Sequence, residues 1–255
     1  MYIDTHAHLY LPDFQPDLEA VINASKLSGV GAFVLPNVDL ETISPLIQVV
    51  QKHPSCFAAM GLHPTSVDAN YKPVLEEIVS WFPRADFVAV GEVGIDLFWD
   101  RTYFKQQQEV FAAQLDLALS LNLPVIIHSR EAFAEIFDIL ITYRGRGLRG
   151  VFHSFSGGEE EVAWIRNFGG FYFGVGGVIT FKNSNLKEVI RQIPIQEIVL
   201  ETDSPYLAPV PYRGKRNMPS YIPIIAEAIA TYKALALDQV EESTTQNAQK
   251  LFNLN

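Results

Sequence analysis

The chain has 255 residues, 48% of them apolar, with one cysteine and a formal net charge of −10. That is a globular composition, long enough for one large α/β domain or two small ones. A single cysteine excludes an internal disulfide framework and fits a reducing compartment, while the acidic balance argues against a broad basic surface for gripping nucleic acid.

The first stretch, MYIDTHAHLY, reads as a strand over residues 2–5 that stays extended to His8. Side chains two apart on a strand leave the same face, so His6 and His8 would point to one side. No basic segment leads into an apolar stretch here, so no secretory signal is visible. Nor does any apolar run approach the roughly 20 residues of a membrane span. The expected setting is the cytoplasm, with no membrane contact and no obligate protein partner evident. Further β-rich apolar runs follow at residues 31–36, 56–60, 87–91, 124–127, 150–152, 171–173 and 197–200. Between them lie segments of period 3.6, clearest at 104–122 and 131–144, and closing helices are expected over 226–236 and 238–252. Eight strands alternating with helices is the arithmetic of a (β/α)8 TIM barrel in the α/β class. A doubly wound open sheet is the competing architecture, but no glycine fingerprint follows the first strand. No linker divides the chain, so residues 1–255 read as one domain.

Barrel enzymes carry their chemistry at the C-terminal ends of the strands. Read that way, the ends carry His6 and His8, then His63, then Glu92 and Asp96. They continue with His128 and Arg130, then His153, and finally Glu201 and Asp203. Five of the six histidines lie just past a strand; only His53 does not. One such histidine is more often a structural residue than a ligand. Structural histidines have no reason to gather at one end of different strands, so the set points to a metal site. Imidazoles with carboxylates and no thiolate suit Zn, Mn, Co or Ni, and Mg at lower affinity. Four histidines with Glu92 and Asp203 exceed what one tetrahedral catalytic metal takes, and instead suit two divalent ions. His6, His8 and Asp203 would hold one ion because first and last strands adjoin in a closed barrel. His128 and His153 would hold the other, with Glu92 between them.

The motifs DTHAH, GLHP, GEVGID, HSREA, FHSFSG, ETDSPYLAP and GKRNMP occur in this order across the whole chain. Together they resemble the TatD family of metal-dependent deoxyribonuclease-like hydrolases, one of the amidohydrolase-type barrels. The resemblance implies the same six residues as metal ligands. It also implies phosphodiester hydrolysis of DNA or a nucleotide substrate, often as a 3′ exonuclease. No lysine follows the fourth strand to serve as a carbamylated bridge; glutamate stands there instead.

On this reading a water activated by two metals attacks phosphorus, and Asp203 is both ligand and general base. Glu201 shares strand parity with Asp203 and is expected to orient a ligand histidine. Donors for phosphate are sought in His63, Arg130 and the loop after the last strand, where Arg213 and Asn217 are the candidates. Phe98, Trp99 and Tyr103 follow the fourth strand and could stack a base or simply pack their loop. A rival function keeps the two metals but cleaves a non-phosphate ester or amide, such as an aminoacyl ester, since fold does not dictate substrate. A third is a metal-binding module without turnover.

Overall fold

In the computed structural model, described over residues 1–254, eight parallel strands pair in chain order into one sheet. They are β1 (Tyr2–Asp4), β2 (Val30–Pro36), β3 (Cys56–Met60), β4 (Ala89–Asp96), β5 (Val125–Arg130), β6 (Gly150–Phe152), β7 (Phe171–Val175) and β8 (Ile198–Leu200). The last strand returns to the first: the Thr5 N–H donates to Leu200 O at 2.9 Å, and Ala7 bridges Ser204 in parallel. The result is the expected (β/α)8 barrel.

Helices cover it outside. These are α1 (Leu18–Leu27), α2 (Leu40–Lys52), α3 (Tyr71–Val79), α4 (Phe104–Leu121), α5 (Phe133–Leu140), α6 (Glu159–Phe168), α7 (Leu186–Val189), α8 (Ile222–Lys233) and α9 (Leu237–Phe252). Local chemistry accounts for their ends. Asp39 caps α2 by accepting from Thr42 N–H while the Thr42 hydroxyl accepts from Asp39 N–H, a reciprocal box that satisfies orphan amides. Asn122 ends α4 in the left-handed region at φ 53°, a conformation asparagine tolerates better than most residues.

Two apolar layers result. The outer one lies between sheet and helices and holds the large residues, among them Phe33, Phe111, Phe152 and Phe173. The inner one is small: Ile3, Ala32, Val34, Ala59, Ala89, Ile126, Val151 and Val199, joined by Ala248, Leu251 and Phe252 of α9. Short side chains are what the barrel axis has room for. Moving up from this inner layer in steps of two gives Ile126 to His128, Val151 to His153, and Val199 to Glu201 to Asp203. The strand period therefore carries core residues and candidate site residues to the same interior.

The structure moves some strand ends. β4 and β5 do not stop at residues 91 and 127 but run on to Asp96 and Arg130, with Gly94 opposite His128 and Asp96 opposite Arg130. Glu92, Asp96, His128 and Arg130 thus lie within strands rather than past them. Their polarity hid the extension, because a strand read from apolar runs ends at its first charged residue. β1, conversely, stops at Asp4, and His6 and His8 follow it on extended chain held by Ala7 N–H to Val34 O and His8 N–H to Ser204 O.

Candidate metal centre

The strand ends open into a cavity of about 590 Å³ whose walls include His8, His63, Glu92, His128, His153 and Asp203. Glu92 sits at its centre, 2% exposed. Its two oxygens face two groups of histidines. Oε2 lies 3.1 Å from His6 Nε2 and 4.0 Å from His8 Nε2. Oε1 lies 2.9 Å from His128 Nδ1, 3.4 Å from His63 Nε2 and 3.6 Å from His153 Nε2. Strict alternation along β4 does not produce this, because Gly91 already faces Ile126 of the inner layer. The β4–β5 register shifts between Val90 and Val93, and that irregularity lets the adjacent Glu92 face inward as well.

Asp203 completes the first group, its Oδ1 3.4 Å from His8 Nε2 and 3.8 Å from His6 Nε2. It lies at φ 56°, and Glu131, Ser154 and Leu207 on neighbouring rim loops also have positive φ. These are uncommon conformations for residues with a Cβ, and of the four Asp203 and Leu207 line the cavity.

Groups on the far side of His8, His128 and His153 bear on which nitrogen faces inward. The Tyr10 hydroxyl donates to Pro36 O, so it accepts from His8 Nδ1–H at 2.8 Å; a neutral His8 then turns its Nε2 lone pair to the cavity. His128 Nε2 lies 2.9 Å from Asp96 Oδ2 and its Nδ1 2.9 Å from Glu92 Oε1. Burial works to lower this ring, but with both carboxylates accepting from it the His128 pKa is raised, and a bound cation would take the place of the Nδ1 proton. His153 Nδ1 lies 3.1 Å from Glu201 Oε1, the place expected of a carboxylate that orients a ligand ring. That approach is not a formed hydrogen bond: His153 Nδ1, like His6 Nδ1, is buried without a hydrogen-bond partner. His6 and His8 bring their Nε2 atoms within 3.2 Å of each other. Lone pairs and carboxylates crowded this closely fit divalent cations, and three groups of donors lie close enough for it: His6 with His8 and Asp203; His6 with His153 and Glu201; His63 with Glu92 and His128.

His63 differs from the other rings. Thr65 N–H donates to its Nδ1 at 3.2 Å, so the proton of the neutral ring is on Nε2, which points into the cavity. In that tautomer it is a donor to the cavity, and it joins Glu92 and His128 as a ligand only with its proton on Nδ1, 2.6 Å from Thr65 Oγ1.

Protonation follows burial and neighbours. Desolvation works to raise the Glu92 and Asp203 carboxyls, but the surrounding histidines overcome it and hold Glu92 well below and Asp203 below the usual carboxylate range. Burial lowers His6 and His63. Burial also acts to lower His153, yet Glu201, Glu92 and Asp203 together push it up to about 10. A metal would take the place of that proton. Asp4 accepts from Thr202 N–H at 3.0 Å and from the Thr202 hydroxyl at 2.6 Å, joining β1 to the end of β8; burial pushes its carboxyl up to about 7.

The basic loop does not reach the cavity. Arg213 lies over the Phe181 ring at 4.3 Å. Arg216 makes a two-pronged pair with Asp17 at 2.9 and 2.7 Å. Asn217 is fully buried, its amide donating to Thr202 O and Tyr206 O at 2.7 Å each. Expected to touch substrate, Asn217 and Arg213 instead hold the loop. An asparagine and arginines near a site look alike in sequence whether they bind ligand or backbone. Among the described residues, Arg130 is the one lysine or arginine lining the cavity. Tyr206, a residue whose type and position in a loop carry no signal in sequence, lines it too and meets His8 with ring centroids 6.2 Å apart.

Known proteins resemble this chain along its whole length. Residues 3–253 match the family described as TatD related DNase. The chain is 38% identical to the uncharacterized metal-dependent hydrolase YabD of Bacillus subtilis over all of both chains. The crystal structure of the TatD homologue YjjV of Escherichia coli superposes with a TM-score of 0.94 at 31% identity, covering 100% of this chain and 98% of that one. A hydrolase of the TatD family from Entamoeba histolytica shares the fold, with a TM-score of 0.88 at 23% identity, over 100% of this chain and 98% of that one. This chain belongs to the TatD family.

Proposed function

We infer that this TatD-family chain is a metal-dependent hydrolase, and we propose that it cleaves phosphodiester bonds, as a deoxyribonuclease releasing nucleotides from 3′ ends. One observation carries the reading: the two oxygens of a buried Glu92 face two separate groups of histidines in an open cavity. Such a carboxylate is placed to serve two ions at once. His6, His8 and Asp203 would hold the first, and His128 and His153 the second. Bound divalent cations supply charge that activates water and stabilises developing negative charge on phosphoryl oxygens.

The chain's own residues do the rest. Asp203 is kept ionised by its histidine neighbours and can take the proton of an attacking water. His63 directs its Nε2 proton at the cavity and can donate to a substrate oxygen. Arg130 is the cation placed to meet a phosphate. Glu201 and Asp96 hold the His153 and His128 rings in orientation, which keeps their inward nitrogens aimed.

The test is release of nucleotides from 3′-labelled single- and double-stranded DNA, with chelated protein and Mg, Mn, Co, Ni or Zn restored. Metal-dependent release that disappears in Asp203→Asn is the expected result. Absence of release with every metal, while aminoacyl esters or dipeptides are hydrolysed, would replace the phosphodiester reading with the ester or amide one.

A further inference from the structure

Two aromatic side chains on the cavity rim are left uncovered. Phe98 is 47% exposed and Trp99 68% exposed. Both follow β4, and Asp96 fixes them there: its Oδ1 accepts from Phe98 N–H at 3.0 Å and from Trp99 N–H at 3.2 Å. The other oxygen of the same carboxylate faces His128 at 2.9 Å. The loop is therefore tied directly to a candidate metal ligand. The two rings meet edge to face with centroids 4.9 Å apart. The Arg130 guanidinium lies over Phe98 at 3.9 Å and within 5.1 Å of Trp99. Among the described residues, no carboxylate pairs with Arg130.

Packing does not explain this arrangement, since a tryptophan recruited to seal a loop would be buried. Trp99 also borders a second cavity of about 350 Å³ that adjoins the first. That second cavity has Asp68 and Asp100 on its walls and, among the described residues, no lysine or arginine. It repels phosphate. The main cavity carries Asp39, Glu92, Asp96 and Asp203 beside Arg130 and would accept phosphate there only with divalent cations bound. Trp99 thus stands where an anionic group ends and an uncharged, planar group would begin.

We propose that Trp99 is a specificity-determining residue that stacks on the nucleobase next to the scissile phosphate, with Phe98 and Arg130 bracing its ring. This rests on the phosphodiester reading above and adds to it that the base itself, not the phosphate alone, is recognised. Stacking of this kind tolerates any base, because every base has a flat face.

Two measurements on the full-length metal-loaded protein test it. The first compares cleavage of oligonucleotides ending in an ordinary 3′ nucleotide or in a 3′ abasic residue. Trp99→Ala should lower kcat/KM on the ordinary end by about ten-fold or more and leave the abasic end unchanged. Trp99→Phe should recover most of the loss. Equal loss on both ends, or loss on neither, would overturn the proposal while leaving the phosphodiester reading intact. The second reads intrinsic tryptophan fluorescence. Deoxyadenosine monophosphate should quench it, deoxyribose 5-phosphate should not, and Trp99→Phe should abolish the quench while Trp81 and Trp164 still emit. A quench that persists in Trp99→Phe, or none in the wild type, overturns the proposal. If the protein cleaves no phosphodiester yet shows the Trp99-dependent quench, the nuclease reading fails and base recognition stands.

Discussion

At the scale of single residues, the site depends on which atom of each side chain is left free. His8, His128 and His63 are all strand-end histidines, yet their outer partners divide them. Tyr10 leaves an acceptor facing the cavity on the first, Asp96 and Glu92 take both ring nitrogens of the second, and Thr65 leaves a donor on the third. Asp203→Asn keeps the shape but removes the charge that takes a proton and binds a cation. Its metal-dependent turnover should fall by about a hundred-fold or more, read as kcat on bis-p-nitrophenyl phosphate; near-normal turnover would rule out the base assignment. Asn217→Ala should act on stability instead. Losing a buried amide that serves two carbonyls should lower the free energy of unfolding by about 1–3 kcal/mol in urea, and a loss of turnover with unchanged stability would return Asn217 to a substrate role.

Elements decide what residues cannot. The β4–β5 pair is built around Gly94, at φ 145°, where an added Cβ would lie 2.0 Å from His128 O. The obstacle is backbone and cannot swing aside. Gly94→Ala should push β5 away at the ligand itself, destabilising the fold by more than about 1 kcal/mol and lowering bound metal per chain, measured by elemental analysis. Normal metal content in this variant would show that the ladder tolerates the shift. On β3, burial pushes the Cys56 thiol up to about 12, from an ordinary value of 9.0. A raised folded-state value contributes stability that is fully present below pH 9 and lost as pH rises through about 12. At pH 10.5 the unfolded chain gains about 2 kcal/mol from thiolate formation. Tyr2, raised by burial to about 12, acts in the same direction at somewhat higher pH. Urea midpoints of wild type and Cys56→Ala at pH 8 and 10.5 should therefore converge as pH rises; a constant gap would contradict the burial effect.

Across the whole molecule, closure brings the centre together. His6 and His8 come from the first strand's end and Asp203 from the last, 197 and 195 positions away, and they meet because β8 pairs back onto β1. The inner layer and α9 fill the axis beneath. Metal and fold are thereby linked: ions that bind only the closed barrel add about 4 kcal/mol per site at a thousand-fold excess over Kd. Chelation should lower the melting temperature by several degrees in calorimetry, and re-addition should restore it. An unchanged melting temperature would mean that the converged histidines bind no metal in solution.

The sequence by itself determined the barrel, since eight apolar runs at even spacing with helices between them leave few other ways to bury their surface. It also pointed to six residues that the fold brings together around the cavity, because structural histidines have no reason to gather at one end of different strands. Only the tertiary structure decided how far β4 and β5 extend, for a polar strand residue is invisible to hydrophobic pattern until its partner is known. It decided, too, that Glu92 faces two ways, since a register shift breaks the strand period at that point. And it removed Arg213 and Asn217 from the cavity while leaving Arg130 and Trp99 at its mouth, because where a loop side chain lands depends on the surfaces it meets after folding.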